Sequence, residues 1–281
     1  MTEILRYAAF TGSPEGGNPA GVVLDAGGLD AAAMQSIAAD VGYSETAFLL
    51  PGADPRDRTV RYFSPLAEVP FCGHATIATA VAHAERHGPG RLVLHTRSGP
   101  VRVHTVEDAG PPVATLTSVA PRISPVAGTD LAEALGALGW TAGELDPALP
   151  ARVAYAGASH LVLAAGSRAR LAQLDYDYDR LGALMAAREW TTVQLVHRSG
   201  PVTFDARNPF PPGGVYEDPA TGAAAAAFGA YLADLGAVDP PARITIIQGV
   251  DMGRPSTLVV DIPADPAGGI GVSGTAVPIP G

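Results

Sequence analysis

The sequence predicts an α+β fold of two related lobes, each organised around one buried helix, and three observations lead there. The order of strand, loop, helix and strand signals in the first half recurs in the second. Two segments, 75–82 within a helix over 75–87 and 222–228 within a helix over 221–235, lack a polar stripe at the helical period, as in helices enclosed by other structure. The chain has 281 residues, nearly half of them hydrophobic, enough for a large core in one big domain or two lobes.

An amphipathic helix is predicted over 30–41, with Asp30 as N-cap, Met34, Ile37 and Val41 on one side, and Gly42 as the stop. A strand over 46–50 follows it. The strand-like Val60-Arg61-Tyr62-Phe63 then leads through a Pro-containing loop to Cys72-Gly73-His74 and the helix 75–87, which Gly88-Pro89 ends. Strands at 91–96 and 101–106 are joined at Ser98-Gly99-Pro100. Residues 118–129, with Pro121 and Pro125, are the expected link, which gives an N-terminal lobe over 1–120 and a C-terminal lobe over 121–281. Further helices are predicted at 130–138, 167–174 and 179–187. The first half's order then returns: Val202-Thr203-Phe204-Asp205, a Pro- and Gly-rich loop, Asp218-Pro219, the helix 221–235 stopped by Gly236, and strands at 243–248 and 257–262. A last strand within 270–281 is expected to rejoin the first lobe.

Composition excludes several function classes. A net charge of -10 without any basic run argues against nucleic-acid binding, which requires clustered cations on phosphates. All 18 basic residues are Arg, so neither a pyridoxal Schiff base nor a P-loop lysine is available. No Gly-x-Gly-x-x-Gly follows a strand, and no cofactor is expected. One cysteine, Cys72, excludes an intramolecular disulfide or a thiolate cluster within the chain, and no metal is expected from the scattered histidines, including the His83/His87 pair. The N-terminus lacks a basic segment followed by an apolar stretch, and no apolar run spans a bilayer, so the expectation is a cytoplasmic protein with no membrane partner.

Helix N-termini present unpaired N–H groups and suit a substrate carboxylate; two are predicted, at Gly73-His74-Ala75 and at Pro219-Ala220-Thr221-Gly222. Each carries a titratable neighbour, His74 or Asp218, and Glu45 stands where the first helix gives way to a strand. Asp218 also suits a plain N-cap, His74 a hydrogen-bonded core histidine and Glu45 a solvated strand start. Cys72 lies beside a helix N-terminus, where a thiolate is favoured, but a small buried apolar role fits it better. Its counterpart in the second half is Asp218, so a matched two-thiol epimerase is ruled out. Ser159-His160 lacks a nucleophile elbow.

Five segments in order, Gly17-Asn18-Pro19-Ala20-Gly21-Val22, Ser44-Glu45-Thr46-Ala47-Phe48, Pro70-Phe71-Cys72-Gly73-His74-Ala75-Thr76, Glu217-Asp218-Pro219-Ala220-Thr221-Gly222-Ala223 and Gln248-Gly249 through Met252-Gly253-Arg254-Pro255-Ser256, resemble the phenazine-biosynthesis (PhzF) family. The resemblance implies the diaminopimelate epimerase-like fold: two pseudo-symmetric lobes, each a β-barrel-like sheet wrapped around a central apolar α-helix, with the active site in the cleft between them. It implies a homodimer and a cofactor-independent isomerase that moves a proton between carbons of a small carboxylate substrate, of the trans-2,3-dihydro-3-hydroxyanthranilate isomerase type. Glu45, His74 and Asp218 match the catalytic positions, with Glu45 as the acid/base. Asn18, Gly73, Ala75, Thr221 and Gly222 match the substrate-binding ones. An amino-acid epimerase or racemase and a non-catalytic small-ligand-binding or regulatory protein are the alternatives.

Overall fold

A computed structural model describes residues 2–107 and 110–280. The chain forms two compact units, the first running to Thr117 and resuming at Ser273, the second holding Ser118–Val272.

The first unit contains β1 (Leu5–Ala9), β2 (Asn18–Val23), α1 (Ala31–Val41), β3 (Glu45–Leu49), β4 (Asp57–Phe63), β5 (Glu68–Val69), α2 (Gly73–His87), β6 (Gly90–Thr96), β7 (Gly99–Val106) and β8 (Val113–Thr117). The second contains β9 (Arg122–Pro125), α3 (Gly128–Leu138), β10 (Arg152–Tyr155), β11 (Ser159–Ala164), α4 (Arg168–Ala172), α5 (Tyr178–Arg188), β12 (Trp190–Arg198), β13 (Thr203–Arg207), β14 (Pro209–Phe210), β15 (Val215–Glu217), α6 (Gly222–Asp234), β16 (Ala242–Gln248) and β17 (Ser256–Ile262). The last strand, β18 (Gly271–Pro278), returns to β1, where Tyr7, Ala8 and Ala9 pair with Pro278, Val277 and Ala276.

That return closes a ring of eight strands in the first unit. β2 pairs antiparallel with β1 and parallel with β3, β4 joins β3 to β6, and β7 and β8 lead back to β18. A closed ring leaves no unpaired edge. α2 packs against β1, β2, β3, β7 and β8. Every residue from His74 to Ala84 is buried, which explains why that segment shows no polar stripe. Its alanines keep the helix thin, while Ile77 and Val81 each contribute about 1.5–3 kcal/mol of burial. α1 keeps the caps read from the sequence: Asp30 accepts from the Ala33 N–H, and Gly42 takes the left-handed conformation, φ 72°.

In the second unit the strands lie in the order β17-β16-β13-β12-β11-β10-β9. α6 packs against β9, β10, β11, β12 and β17. Ten of its residues are buried. Gly229 permits the approach to β17, since a Cβ there would come within 2.7 Å of Val260 Cγ1. Leu161, Leu163, Val193 and Leu195 form a second core with Leu138 of α3 and Leu181 and Met185 of α5. By strand alternation, His160, Thr192 and Gln194 take the opposite face.

Three local expectations are corrected. The hairpin turn before β7 is Arg97-Ser98, because Thr96 pairs directly with Gly99. The 118–129 stretch holds β9 and the start of α3; Pro125 fits there because an edge strand forgoes a donor at little cost. The 167–174 helix shortens to α4, with Ser167 outside it as the N-cap. Among the described residues no helix is long and apolar enough to cross a membrane.

Candidate active site

The first unit gathers titratable groups at the start of α2. Cys72 is the residue before the helix, with extended backbone (φ -145°), and its thiol does not cap the helix. Thr76 donates to the Cys72 carbonyl at 2.6 Å and accepts the Tyr62 hydroxyl, also at 2.6 Å. That chain anchors Cys72 to β4, and burial pushes the Tyr62 hydroxyl's pKa well above its ordinary value.

His74 occupies the first turn and is buried. Its Nδ1 lies 3.1 Å from Asn18 Nδ2, so the amide donates and Nε2 carries the ring proton. Nε2 in turn lies 3.4 Å from Glu45 Oε2 and 3.4 Å from Ser44 Oγ. Cys72 Sγ sits 3.5 Å from the same Glu45 oxygen and 3.4 Å from His74 Nδ1. Glu45 opens β3 and keeps 17% of its side-chain surface exposed, against 7% for His74. The cluster is therefore a carboxylate with limited solvent access, contacted by an imidazole and a thiol. Gly73 and Ala75 flank His74 in the same turn.

Asn18 reaches His74 because Gly17 turns the chain at φ +64°, where any Cβ would collide with the Ala9 carbonyl oxygen. The same motif supplies Gly21, whose added Cβ would lie 2.5 Å from Thr46 Oγ1. Small residues here are steric requirements of the β2–β3 pairing.

In the second unit Asp218, Thr221 and Gly222 share the start of α6. Thr221 is the N-cap residue, and its hydroxyl donates to Asp218 Oδ2 at 2.6 Å. Gln248 Nε2 donates to the Asp218 carbonyl at 2.7 Å and to Thr221 Oγ1 at 3.1 Å, and its Oε1 accepts from the Thr221 N–H at 3.3 Å. The structure thus groups Asn18, Glu45, Gly73, His74 and Ala75 in one unit and Asp218, Thr221 and Gly222 in the other. Sequence reasoning passed over Ser44 and Gln248 as site residues, although both stand inside the quoted motifs; a polar side chain next to a candidate acid was the available signal.

Residues 7–280 match the family described as phenazine biosynthesis-like protein. A trans-2,3-dihydro-3-hydroxyanthranilate isomerase of Pseudomonas chlororaphis is 32% identical, over 89% of this chain and 86% of that protein. YddE of Escherichia coli K12, described as an uncharacterized isomerase, is 32% identical over 98% and 95%. The crystal structure of a Bacillus anthracis PhzF-family phenazine biosynthesis protein superposes with a TM-score of 0.87 at 27% identity, covering 99% of this chain and 97% of that one. A hydroxyproline epimerase of Agrobacterium vitis, 15% identical with a TM-score of 0.62 over 98% and 90%, shares the fold. The chain belongs to the phenazine biosynthesis-like (PhzF) family and is an isomerase of it.

Proposed function

We propose that this isomerase shifts a proton between two carbons of a small carboxylate-bearing substrate without a cofactor, with Glu45 as both base and acid. The observation that carries the reading is the convergence of His74 Nε2 and Cys72 Sγ on Glu45 Oε2, at 3.4 and 3.5 Å, in a buried and oriented cluster. Glu45 takes a proton from an sp³ carbon and leaves the electron pair in a conjugated anion. The acid so formed returns the proton to a remote carbon, and atoms and charge balance. Cys72 and Glu45 touch, so they do not bracket one carbon from opposite faces as two-base inversion requires. Within this cluster, same-face transfer is favoured over epimerisation.

The first substrate to test is trans-2,3-dihydro-3-hydroxyanthranilate, the compound in the names of the Pseudomonas relatives. Proton NMR in D₂O follows both isomerisation and deuterium uptake. Glu45→Gln should lower turnover by about 10²–10⁴-fold, the usual worth of a positioned acid/base. A Glu45→Gln enzyme with wild-type turnover would sink the assignment. The reading also gives Asp218, Thr221 and Gly222 a share in substrate binding, since a helix N-terminus suits a carboxylate. Thr221→Val should then raise KM more than it lowers kcat; an unchanged KM removes these residues from the site.

A further inference from the structure

Each unit anchors the residue in front of its buried helix, and in the second unit that anchor leads back to a buried histidine. Arg61 of β4 pairs with Phe48 of β3 and forks onto Glu68. Arg207 of β13 pairs with Leu195 of β12 and forks onto Glu217. Counted from these two arginines, Asn208 stands where Tyr62 stands. By the same count Thr192, three residues before Leu195, stands where Glu45 stands before Phe48. Tyr62 holds the Cys72 carbonyl through Thr76. Asn208 holds Asp218 directly, its carbonyl accepting from the Asp218 N–H at 3.0 Å.

Asn208 is the single residue between β13 and β14, and Pro209 after it confines its backbone to extended conformations. Its side chain fixes the rest: Oδ1 accepts from Thr192 Oγ1 at 2.8 Å, and Thr192 accepts in turn from His160 Nδ1 at 2.8 Å. A hydrogen-bonded chain thus runs from His160 on β11 through Thr192 on β12 and Asn208 to Asp218. His160, Thr192 and Asn208 are fully buried, so water does not compete for these bonds. Gln248 Nε2 holds the Asp218 carbonyl, so both backbone groups of Asp218 are fixed. A shift at Asp218 would pass to the N-cap, because Thr221 Oγ1 donates to Asp218 Oδ2 at 2.6 Å. We propose that His160, Thr192 and Asn208 are positioning residues that set the Asp218 backbone, and with it the start of α6, for substrate binding. The consequence for substrate rests on the share given above to Asp218, Thr221 and Gly222, whereas the anchoring does not.

Thr192→Val keeps the branched shape and removes the hydroxyl, which strips His160 Nδ1 and Asn208 Oδ1 of their partner. Amide exchange in the full-length protein reads the anchor without any substrate. The reference is the Ala165 N–H, bonded to the Val196 carbonyl in the same unit. In Thr192→Val the Asp218 amide should exchange about fivefold faster relative to Ala165, the worth of about one hydrogen bond, whereas a general loss of stability speeds both alike. With trans-2,3-dihydro-3-hydroxyanthranilate as probe, KM should rise about 2–10-fold while kcat stays within about twofold. Thr192→Ser restores the hydroxyl and should return both readings toward wild type. An unchanged exchange ratio in Thr192→Val, or a Thr192→Ser protein as impaired as Thr192→Val, overturns the proposal. If Thr192→Val loses native circular dichroism, His160→Met, which removes the donor at the far end of the chain, meets the same two readings. A raised ratio with KM unchanged, or with a wild type inactive on this probe, upholds the anchor and counts against the substrate reading instead.

Discussion

Replacing His160 by glutamine should flatten the acid side of the stability profile. His160 lies on β11, fully buried, opposite Thr192 on β12. Thr192 Oγ1 donates to Asn208 Oδ1 at 2.8 Å, so it accepts from His160 Nδ1, also at 2.8 Å. Nε2 is then the unprotonated nitrogen, and it has no hydrogen-bond partner among the described residues. Burial drives the His160 pKa down to about 3. The folded state therefore holds the ring neutral while the unfolded chain titrates near 6.5, so unfolded molecules bind more protons between those values. Stability from this residue is present above the unfolded pKa and drains as pH falls toward 3. Linkage gives about 2 kcal/mol lost between pH 7 and pH 5. Urea denaturation of wild type and His160→Gln at pH 7, 6 and 5 measures the difference in slope. The variant loses some stability at every pH through its altered hydrogen bonds, about 1–3 kcal/mol, which cancels when slopes are compared. If wild type and variant lose equal stability between pH 7 and 5, the account of His160 is wrong. His83, also held well below its ordinary pKa, mainly by burial, contributes in the same direction and persists in both proteins.

Two further substitutions probe the framework. Gly17→Ala should destabilise the first unit by more than the ~1–2 kcal/mol of a left-handed backbone alone, because the methyl also meets the Ala9 carbonyl; a thermal midpoint equal to wild type would refute this. Glu217→Gln should cost about 3–5 kcal/mol in urea unfolding, since it strands Arg207, whose Nε and Nη2 donate to the two Glu217 oxygens at 2.9 and 2.5 Å in a buried pair. Arg207→Met combined with Glu217→Leu should recover most of that loss, and a double variant as unstable as the single one would contradict it.

Local signals carried much of this fold, and non-local pairing carried the rest. Asp30 and Gly42 bound α1 because capping depends on residues within one turn. The all-round apolar character of α2 and α6 is likewise written in consecutive residues. By contrast β1 and β2, interrupted by the Gly- and Pro-rich 12–19 stretch, show little period of their own, and their place follows from pairing with β18 and β3. His160 was legible only as a neighbour of Ser159; its burial follows from β11 lying between β10 and β12. Cys72, favoured as a small apolar residue, is buried as that role demands, yet its sulfur meets the imidazole of His74 two residues on and the carboxylate of Glu45 27 positions away, and only the first contact is local in the sequence.

The parallel pairing of β2 with β3 explains why the cluster forms where it does. Ala20 pairs with Glu45, so both strands begin at the same end of the barrel, and Asn18 and Glu45 start next to the first turn of α2. Two parallel neighbours need a crossover to carry the chain back, and α1 is that crossover. Met34 and Ala38 fix α1 to the barrel by packing with Val23, Phe48 and Phe63. Gly42 then ends the helix two residues before Ser44 and three before Glu45, leaving almost no slack between the packed helix and the acid. Gly21 contributes the remaining constraint, because its missing side chain is the space that Thr46 occupies beside it. Buried polar groups at this end would be costly without partners. Asn18, Ser44, Glu45, Cys72 and His74 supply one another's, and the closed barrel fixes the distances at which they do so. The glycines and caps that look like punctuation in the sequence are thus the means by which the backbone delivers a carboxylate to an imidazole.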